Sequence, residues 1–400
     1  MADTRSVVAA RRRTERLQAA LREAGWAAAL IQHPRDVFYY AGTGQPCNLW
    51  VPAEGEPVLF ARRVEEWVRQ DSLLPQVIGA ASFGQMRHHL AERGLLPREG
   101  ATIGIEKDVL PATLVESLGR TLAGYRLENV APVVLNQRLV KDDIEIAAMR
   151  AAAGLWAEVH AGVLEALAPG ARESDVAASA LGRAMRAGAG PEIYFRRWDG
   201  TGAAGRVVAS GPNGWRISGP AFTVTGVGFG PAQPWGYSDR VIGEGELVVV
   251  DFGLYRQGYH ADMTRTYAVG KPSARLKDLW DRLVELHQAV IAAIRPGRRA
   301  AELWEVARKH AGRAGYADWF MGYGPNQGQY IGHSLGLEMD EPPVLGPGAD
   351  QELVPGMVVT VEPKFIVPGV GAAMIEDEIL VTPTGGEVLG TVEQRLFEVT

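Results

Sequence analysis

The sequence GELVVVDFGLYRQGYHADMTRTYAV, residues 245–269, predicts two adjacent β-strands that carry acidic side chains. A glycine leads an apolar strand that ends at Asp251, and the segment HADMTRTYAV is its candidate partner. Side chains alternate between the two faces of a strand, so Leu247 and Val249 share a face with Asp251. The partner strand contributes Asp262. Each strand of this predicted hairpin therefore places a carboxylate on a face that is expected to be buried.

The same pattern recurs in the second half of the chain. The strand GMVVTVE, residues 356–362, again has a glycine six residues before its final acid, and IEDEILVT at 375–382 is its candidate partner. This second hairpin supplies Glu362 and Glu376. Each hairpin follows two helical segments, and the second pair begins with SARLKDLWDRLVELHQAVIAAI at 273–294. The internal repeat predicts a pseudo-twofold domain in which the acids of both hairpins converge on one site.

Four buried carboxylates need a compensating positive charge, because an ionised group in a low-dielectric interior loses much of its solvation. We find no column of Lys or Arg on the same strand faces that would neutralise all four. Two divalent cations would cancel the four negative charges, and two-metal hydrolytic sites hold their ions about 3.5 to 4 Å apart. The acids therefore predict a dinuclear metal site.

A histidine adds to this set. His333 lies in QYIGHSLGLEMDEPPVL, residues 329–345, between Gly332 and Ser334. Its neighbours are apolar or glycine, so we expect a partner to fix its imidazole. A lone histidine is usually structural, but beside four acids it becomes a candidate fifth ligand.

The remaining sequence predicts two domains. Of the 400 residues, 46% are hydrophobic and 22% are charged, which is typical of a globular chain. Residues from about 15 to 135 alternate helical periods with short apolar runs, which predicts a small α/β domain. A single capped helix is expected from Asp142 to the stop at Pro169-Gly170. We therefore predict domains at 1–138 and 139–400.

Charge and composition bear on partners and location. The formal net charge of −6 argues against binding to a nucleic-acid backbone. We find no apolar stretch of the length that crosses a membrane and no secretory signal at the amino terminus, so no membrane partner is expected. The single cysteine, Cys47, fits a reducing compartment, which predicts a cytoplasmic protein.

Residues 140–385 resemble the pita-bread metallohydrolases, the family of methionine aminopeptidase, aminopeptidase P, prolidase and creatinase. The resemblance is strongest in DFGLYRQGYHADMTRTY, IGHSLGLEMDEPP, TVEP and IEDEILVT. It implies an α/β fold with a smaller amino-terminal domain ahead of the pseudo-twofold catalytic one, commonly in a homodimer. Carried onto this sequence, it implies the metal ligands Asp251, Asp262, His333, Glu362 and Glu376.

The resemblance also implies a chemistry. The length and two-domain layout are those of Xaa-Pro dipeptidases and aminopeptidases P, which favours cleavage of a short peptide or peptide-like amide by a metal-bridging hydroxide. Glu362 is expected to bind metal through one oxygen and to carry a proton on the other. Manganese, cobalt, zinc or iron would suit four carboxylates and one imidazole.

Several substrate-handling groups of that family are replaced here. Asp340 stands where a second histidine is usual, and Pro234 and Trp235 lie near the expected place of another. Ile366 replaces a tyrosine, and Met374 replaces an arginine. These departures leave two alternatives open, a creatinase-like C–N hydrolase or lyase that acts on a non-peptide small molecule, and a metal-binding relative without turnover.

Other residues have two interpretations each. Asp340 is either a base or an anchor for a cationic substrate group, or a polar turn residue. His260 shares the predicted face of Asp262 and either contributes to catalysis by lining the site or lies at a strand edge. Tryptophans 198, 215 and 235 flank loops as substrate walls or as packing anchors. His287 lies beside an apolar helix stripe, which predicts a packing role.

Overall fold

The computed structural model describes residues 4–197, 206–217 and 223–400. Trp198 lies outside the described residues. By its internal contacts the chain divides into two units, Met1–Arg138 and Leu139–Thr400. Each unit is described by itself.

The first unit is a mixed β-sheet with helices. Its strands are β1 (Ala28–Ile31), β2 (Cys47–Pro52), β3 (Val58–Ala61), β4 (Val77–Gly79), β5 (Thr102–Ile105) and β6 (Arg126–Asn129). They pair in the order β4-β3-β2-β1-β5-β6. Its helices are α1 (Thr4–Glu23), α2 (Pro34–Ala41), α3 (Glu65–Asp71), α4 (Phe83–Glu92), α5 (Ala112–Thr121) and α6 (Ala131–Arg138).

The core of this sheet comes from the apolar runs that the sequence analysis identified. Leu30, Trp50, Phe60 and Ile103 belong to four different strands and are fully buried in one cluster. Helical and strand segments alternate along this unit, as predicted for a small α/β domain.

The second unit contains the helices of the predicted repeat. These are α7 (Asp143–Ala153), α8 (Trp156–Ala166), α9 (Glu173–Arg186), α10 (Ala274–Ala293) and α11 (Ala300–Ala314). Its first strands are β7 (Arg206–Ser210), β8 (Leu247–Arg256) and β9 (Tyr259–Val269). The later strands are β10 (His333–Ser334), β11 (Glu341–Val344), β12 (Val358–Val361), β13 (Lys364–Val367), β14 (Gly371–Met374), β15 (Asp377–Thr382), β16 (Gly385–Val388) and β17 (Phe397–Val399).

The two predicted strand pairs become the centres of two sheets. The second differs from a simple hairpin, because β13 and β14, which pair with each other, lie between its two strands along the chain. β8 and β9 pair antiparallel within the order β17-β9-β8-β7, and β12 and β15 pair antiparallel within the order β11-β10-β12-β15-β16. An isolated bridge between Thr264 and Glu376 connects the sheets. The acid-bearing parts of the two hairpins are thereby brought side by side.

The helix expected from Asp142 onward is two helices, which corrects the prediction. Asp142 caps α7 through a capping box with Glu145. At the break, the N–H of Gly154 donates to Arg150 O, four residues back, but the N–H of Leu155 donates to Ala152 O, only three back. Glycine has a weak helix propensity, and the tighter turn separates α7 from α8.

Helix α10 packs its apolar stripe into a core cluster of the second unit. His287 of this helix is fully buried, and its Nε2 lies 3.4 Å from Asp377 Oδ2. Burial lowers the pKa of His287 to about 4, so the ring is neutral in the folded protein at neutral pH. These contacts fit the packing role that the sequence predicts.

Among the described residues, we find no helix that is long and apolar enough to cross a membrane.

Candidate metal centre

The first hairpin places two acids on neighbouring strands. In its register Asp251 of β8 lies opposite Thr264 of β9, and Asp262 lies opposite Gly253. Both carboxylates are buried. Strand alternation and the hairpin register together bring the two acids to the same cavity, which both residues line.

His333 is held by one hydrogen bond from its backbone and one from its ring. Its backbone N–H donates to Thr360 Oγ1 at 3.1 Å, and its Nδ1 lies 3.0 Å from the carbonyl oxygen of Ser334. Because a carbonyl only accepts, Nδ1 carries the proton and Nε2 is left as a metal-binding atom. A side chain at Gly332 would collide with the carbonyl oxygen of Thr360, so glycine is needed there. The expectation that a partner fixes this imidazole is confirmed.

The second hairpin adds Glu362 just after β12 and Glu376 just before β15. The backbone of Glu376 bridges to Thr264, whose Oγ1 also donates to Glu376 Oε2 at 3.0 Å. Ligand atoms of Asp262, His333 and Glu376 all lie within 4.8 Å of one another. One ion could contact these three side chains together.

The crowded acids raise one another's pKa. Burial, with the charge of Glu362, raises the pKa of Asp251 to about 7. Burial and the nearby Asp251 and Glu362 raise the pKa of Asp262 well above its usual range. Burial, and then the charges of Asp262 and Glu362, do the same to the pKa of Glu376. Three buried carboxylates whose pKa values are all raised indicate a place where positive charge belongs.

Two opposing influences act on the pKa of His333. Burial lowers this pKa, but the carboxylates of Asp340 and Glu362 more than compensate, so the pKa is raised overall. Its Nε2 lies 3.4 Å from Asp340 Oδ1 and 3.7 Å from Glu362 Oε1. The free ring nitrogen therefore faces the acids.

Two oxygens test whether the site fits metal ions. Asp251 Oδ1 and Asp262 Oδ1 are buried and have no hydrogen-bond partner among the described residues. Buried carboxylate oxygens are normally paired, because an unpaired one keeps its full desolvation cost. Divalent ions would satisfy both oxygens, so the residues present fit such ions.

One cation near the acids was missed by the sequence analysis. Lys364 is fully buried and its Nζ lies 2.7 Å from Glu362 Oε2. The signal was present, because residues two apart share a strand face and Lys364 follows Glu362 by two. The oxygen of Glu362 that we expected to carry a proton is thus bonded to a lysine.

His260 is not placed as expected for a catalytic group. Its Nε2 accepts the backbone N–H of Tyr194 at 3.0 Å, and its Nδ1 lies 3.0 Å from the carbonyl oxygen of Gly336. Both ring nitrogens are therefore used on backbone groups, and the ring is fully buried. These contacts give His260 a role in fixing the segments at Tyr194 and Gly336, and we assign it no catalytic role.

The candidate ligands line a cavity of about 490 Å³. Apolar and aromatic side chains form much of its wall, among them Phe195, Trp235 and Met339. Asp340 also lines it, with its side chain about half exposed. Trp235 thus has the wall position that was one of its two interpretations, and Trp215 packs against a core cluster instead.

Two other substituted positions are buried. Met374 is 1% exposed, and its sulfur accepts from Thr223 Oγ1 at 3.5 Å. Ile366 is fully buried in the same core cluster as Met374. Apolar packing therefore occupies places where a tyrosine and an arginine were expected.

Comparison with known proteins identifies the family. The model of Metallopeptidase family M24 matches residues 147–383, more than half of the chain, and that of the Creatinase/Prolidase N-terminal domain matches residues 13–140. The chain belongs to metallopeptidase family M24. The M24 match spans both hairpins and the histidine segment.

Relatives of this M24 chain include named dipeptidases. The probable dipeptidase PepE of Mycobacterium tuberculosis is 31% identical, over 97% of this chain and 96% of the relative. The Xaa-Pro dipeptidase of Pyrococcus furiosus is 28% identical, over 92% of this chain and 94% of the relative. The structure of an Xaa-Pro dipeptidase from Bacillus anthracis superposes with a TM-score of 0.82 at 27% identity, covering 98% of this chain and all of that one. The predicted family and two-domain fold are confirmed, and the chain is a metallohydrolase of the dipeptidase type.

Proposed function

We propose that this protein is a dinuclear metal-dependent dipeptidase that cleaves short peptides of the Xaa-Pro type. The observation that carries the proposal is the convergence of five predicted ligands on one cavity. They are Asp251, Asp262, His333, Glu362 and Glu376. One named relative is a probable dipeptidase and another is an Xaa-Pro dipeptidase, which supports this substrate class.

The ligand set would hold two divalent ions between the hairpins. Bound there, such ions would supply an activated water and polarise the scissile carbonyl. The set consists of four carboxylates, one of which is ion-paired with Lys364, and one neutral imidazole. These ligands suit manganese, cobalt, zinc or iron. We retain all four metals as candidates.

Asp340 is proposed to bind the free amino group of the substrate. Its carboxylate lines the cavity and lies beside His333 Nε2, on the side of the candidate ligands. A half-exposed carboxylate can receive an ammonium group without a large desolvation cost. Glu362 is less suited to carry a proton than the sequence suggested, because Lys364 engages its Oε2.

The cavity walls are proposed to select a short, largely apolar peptide. Phe195, Trp235 and Met339 offer flat or flexible apolar surface, which suits a proline ring. Arg197 also lines the cavity and would pair with the carboxylate at the end of a dipeptide. A molecule with an ammonium group at one end and a carboxylate at the other matches this lining.

The test is turnover by the full chain after loading with manganese or cobalt. We expect hydrolysis of Xaa-Pro dipeptides, with slower cleavage of longer Xaa-Pro peptides and of dipeptides amidated at the carboxyl end. Asp262→Asn should abolish activity and reduce bound metal. Absence of turnover on all of these peptides, at full metal occupancy, would overturn the proposed function.

The main alternative is a creatinase-like reaction on a non-peptide amide or amidine. It is favoured by one specific observation, the replacement of two expected histidines by Asp340 and by the Pro234-Trp235 pair. Fewer neutral donors are then available to a developing oxyanion. Full metal occupancy without peptide cleavage would leave this alternative and the metal-binding relative without turnover, and hydrolysis of a non-peptide amide or amidine would select the former. The homodimer and the cytoplasmic location stay predictions of the sequence.

A further inference from the structure

Lys364 is a buried cation inside a cluster of candidate metal ligands. Its side chain is 0% exposed, and its Nζ lies 2.7 Å from Glu362 Oε2 and 2.7 Å from Thr223 Oγ1. The ring of Tyr330 lies beneath the ammonium, with its centroid 5.8 Å away. A buried ammonium is costly unless it is paired, and these contacts supply the pairing.

The ion pair separates the two oxygens of Glu362. Oε2 faces Lys364, whereas Oε1 lies 3.7 Å from Nε2 of His333 and so faces the other candidate ligands. An oxygen that accepts a short bond from an ammonium is a poor metal ligand, because the same lone pairs and the same negative charge are in use. Glu362 is thus limited to one metal-binding oxygen.

Charge balance points the same way. Four carboxylates alone would match the charge of two divalent ions, but Lys364 already cancels one negative charge. When the second ion binds, the four carboxylates no longer balance the positive charge of Lys364 and the two ions together. Like charges repel most strongly where water is excluded, so this excess positive charge disfavours the second ion. The lysine and the second ion therefore compete for the same carboxylates.

We propose that Lys364 is a positioning residue that acts as a resident counter-ion of the metal centre. It holds Glu362 to ligation through one oxygen, and it lowers the affinity of the centre for its second divalent ion. This inference rests on the proposed function, because it requires that the five residues bind metal. It adds a residue of this chain that tunes metal occupancy without itself binding metal.

The experiment compares metal binding by the wild-type full chain and by Lys364→Met. Methionine approximates the length of the lysine stem and removes both its charge and its hydrogen bonds. Metal-stripped proteins are supplied with Mn²⁺, and binding isotherms are recorded by competition with a fluorescent chelator. We expect the variant to bind the second ion at least about tenfold more tightly, in the range by which groups next to metal ligands alter affinity.

Lys277→Met is the matched control. Lys277 also pairs with a carboxylate, that of Asp281 at 2.6 Å, but on the exposed face of α10. This variant should bind Mn²⁺ like the wild type. A merely structural role for Lys364 predicts the opposite change in the test variant, namely weaker metal binding because the ligands are disordered.

A second variant guards against misfolding. Lys364→Gln removes the charge and keeps a donor for Glu362 and Thr223, so it should fold and still bind the second ion more tightly than the wild type. Unchanged or weaker binding in a folded Lys364→Gln protein would overturn the inference.

The outcomes also separate this inference from the proposed function. A wild-type chain that binds no Mn²⁺ defeats both. A wild-type chain that binds two ions and cleaves Xaa-Pro dipeptides, beside a Lys364→Gln variant with the same affinity, defeats the role of Lys364 alone.

Discussion

At the scale of single residues, Asp340 is the side chain whose chemistry most directly tests the proposed substrate. Its Oδ1 lies 3.4 Å from Nε2 of His333, about half of its side chain is exposed, and it lines the cavity. If Asp340 is only a turn residue, its replacement should not change the kinetics of substrate cleavage. If it binds the ammonium group of the substrate, its replacement should weaken substrate binding.

We predict that Asp340→Asn lowers kcat/KM for Xaa-Pro dipeptides about tenfold, which corresponds to roughly 1.4 kcal/mol. The loss should appear mainly in KM, because the amide keeps the size of the side chain and removes only the charge that holds the amino group. Steady-state kinetics at saturating Mn²⁺ provide the measurement.

Asp350→Asn is the control for this change. Asp350 is 89% exposed and lies 4.0 Å from Arg299, so its replacement should leave both constants unaltered. If Asp340→Asn showed the kinetics of the wild type, Asp340 would be a polar turn residue with no role in substrate binding.

The sequence draws attention to the four acids that line the cavity but not to the lysine beside them. Asp251, Asp262, Glu362 and Glu376 stand out because ionisable groups interrupt apolar strand patterns, and a local pattern is enough to reveal them. Lys364 follows Glu362 by two, but the sequence does not reveal that its ammonium is buried, and its other partner, Thr223, is remote in sequence. Contacts of that kind depend on the tertiary fold.

At the scale of elements, the close packing of helix α8 against helix α9 depends on Gly162 of α8. A Cβ at this position would lie 2.6 Å from Cα of Ala180 in α9 and 2.8 Å from the carbonyl oxygen of Ser179. The obstructing atoms are backbone, which cannot rotate away. The helices would have to move apart.

We predict that Gly162→Ala destabilises the protein by about 1–3 kcal/mol, the usual cost of overpacking a tight core. Thermal denaturation would show this as a melting temperature lower by several degrees. In a helix alanine is ordinarily more stabilising than glycine, so a loss of stability in Gly162→Ala must come from the contact with α9 and not from helix propensity.

Gly312→Ala in α11 supplies the comparison. A Cβ there would meet nothing within 4 Å, so the substitution should be neutral or stabilising by up to about 1 kcal/mol. If Gly162→Ala behaved in the same way, the close packing of α8 on α9 would not be a constraint.

Element prediction succeeded where the signal was local. The capping box at Asp142 and Glu145 and the alternation of β8 and β9 are visible in the sequence and present in the structure. The break at Gly154 was missed, because a glycine inside an apolar helical pattern is compatible with an unbroken helix. Just after this break, at the start of α8, Trp156 Nε1 donates to the carbonyl oxygen of Phe252 at 2.9 Å, a contact that depends on the tertiary fold.

At the scale of the whole molecule, the acid cluster links stability to metal and to pH. A carboxyl whose pKa is raised by folding binds its proton more tightly in the folded chain than in the unfolded one. Between the unfolded and folded pKa values the folded state holds more protons, so stability falls as pH rises. The pKa of Asp251 is raised to about 7, which places part of this loss near neutrality.

His287 has the opposite effect and limits the useful range. Its folded pKa is lowered to about 4, so the unfolded chain binds more protons between pH 4 and about 6.5 and stability rises with pH in that window. Above pH 6.5 only about 0.4 kcal/mol of this gain remains. The pH dependence between pH 6.5 and 8 therefore reports mainly on the raised pKa values of the acid cluster and of His333 beside it.

We predict that the protein stripped of metal by EDTA melts at progressively lower temperature from pH 6.5 to 8, with Asp251 alone contributing about 1 kcal/mol of the loss. The neighbours that set its charge are Asp262, Glu362 and Glu376 on the negative side and Lys364 and His333 on the positive side. Added Mn²⁺ should raise the melting temperature and flatten its dependence on pH, because divalent ions replace the protons that the carboxylates otherwise retain. Asp251→Asn should reduce the slope of the metal-stripped protein, whereas Asp350→Asn should not. An equal slope with and without Mn²⁺ would show that the cluster does not bind the ion, since a bound ion must displace those protons before it can stabilise the fold.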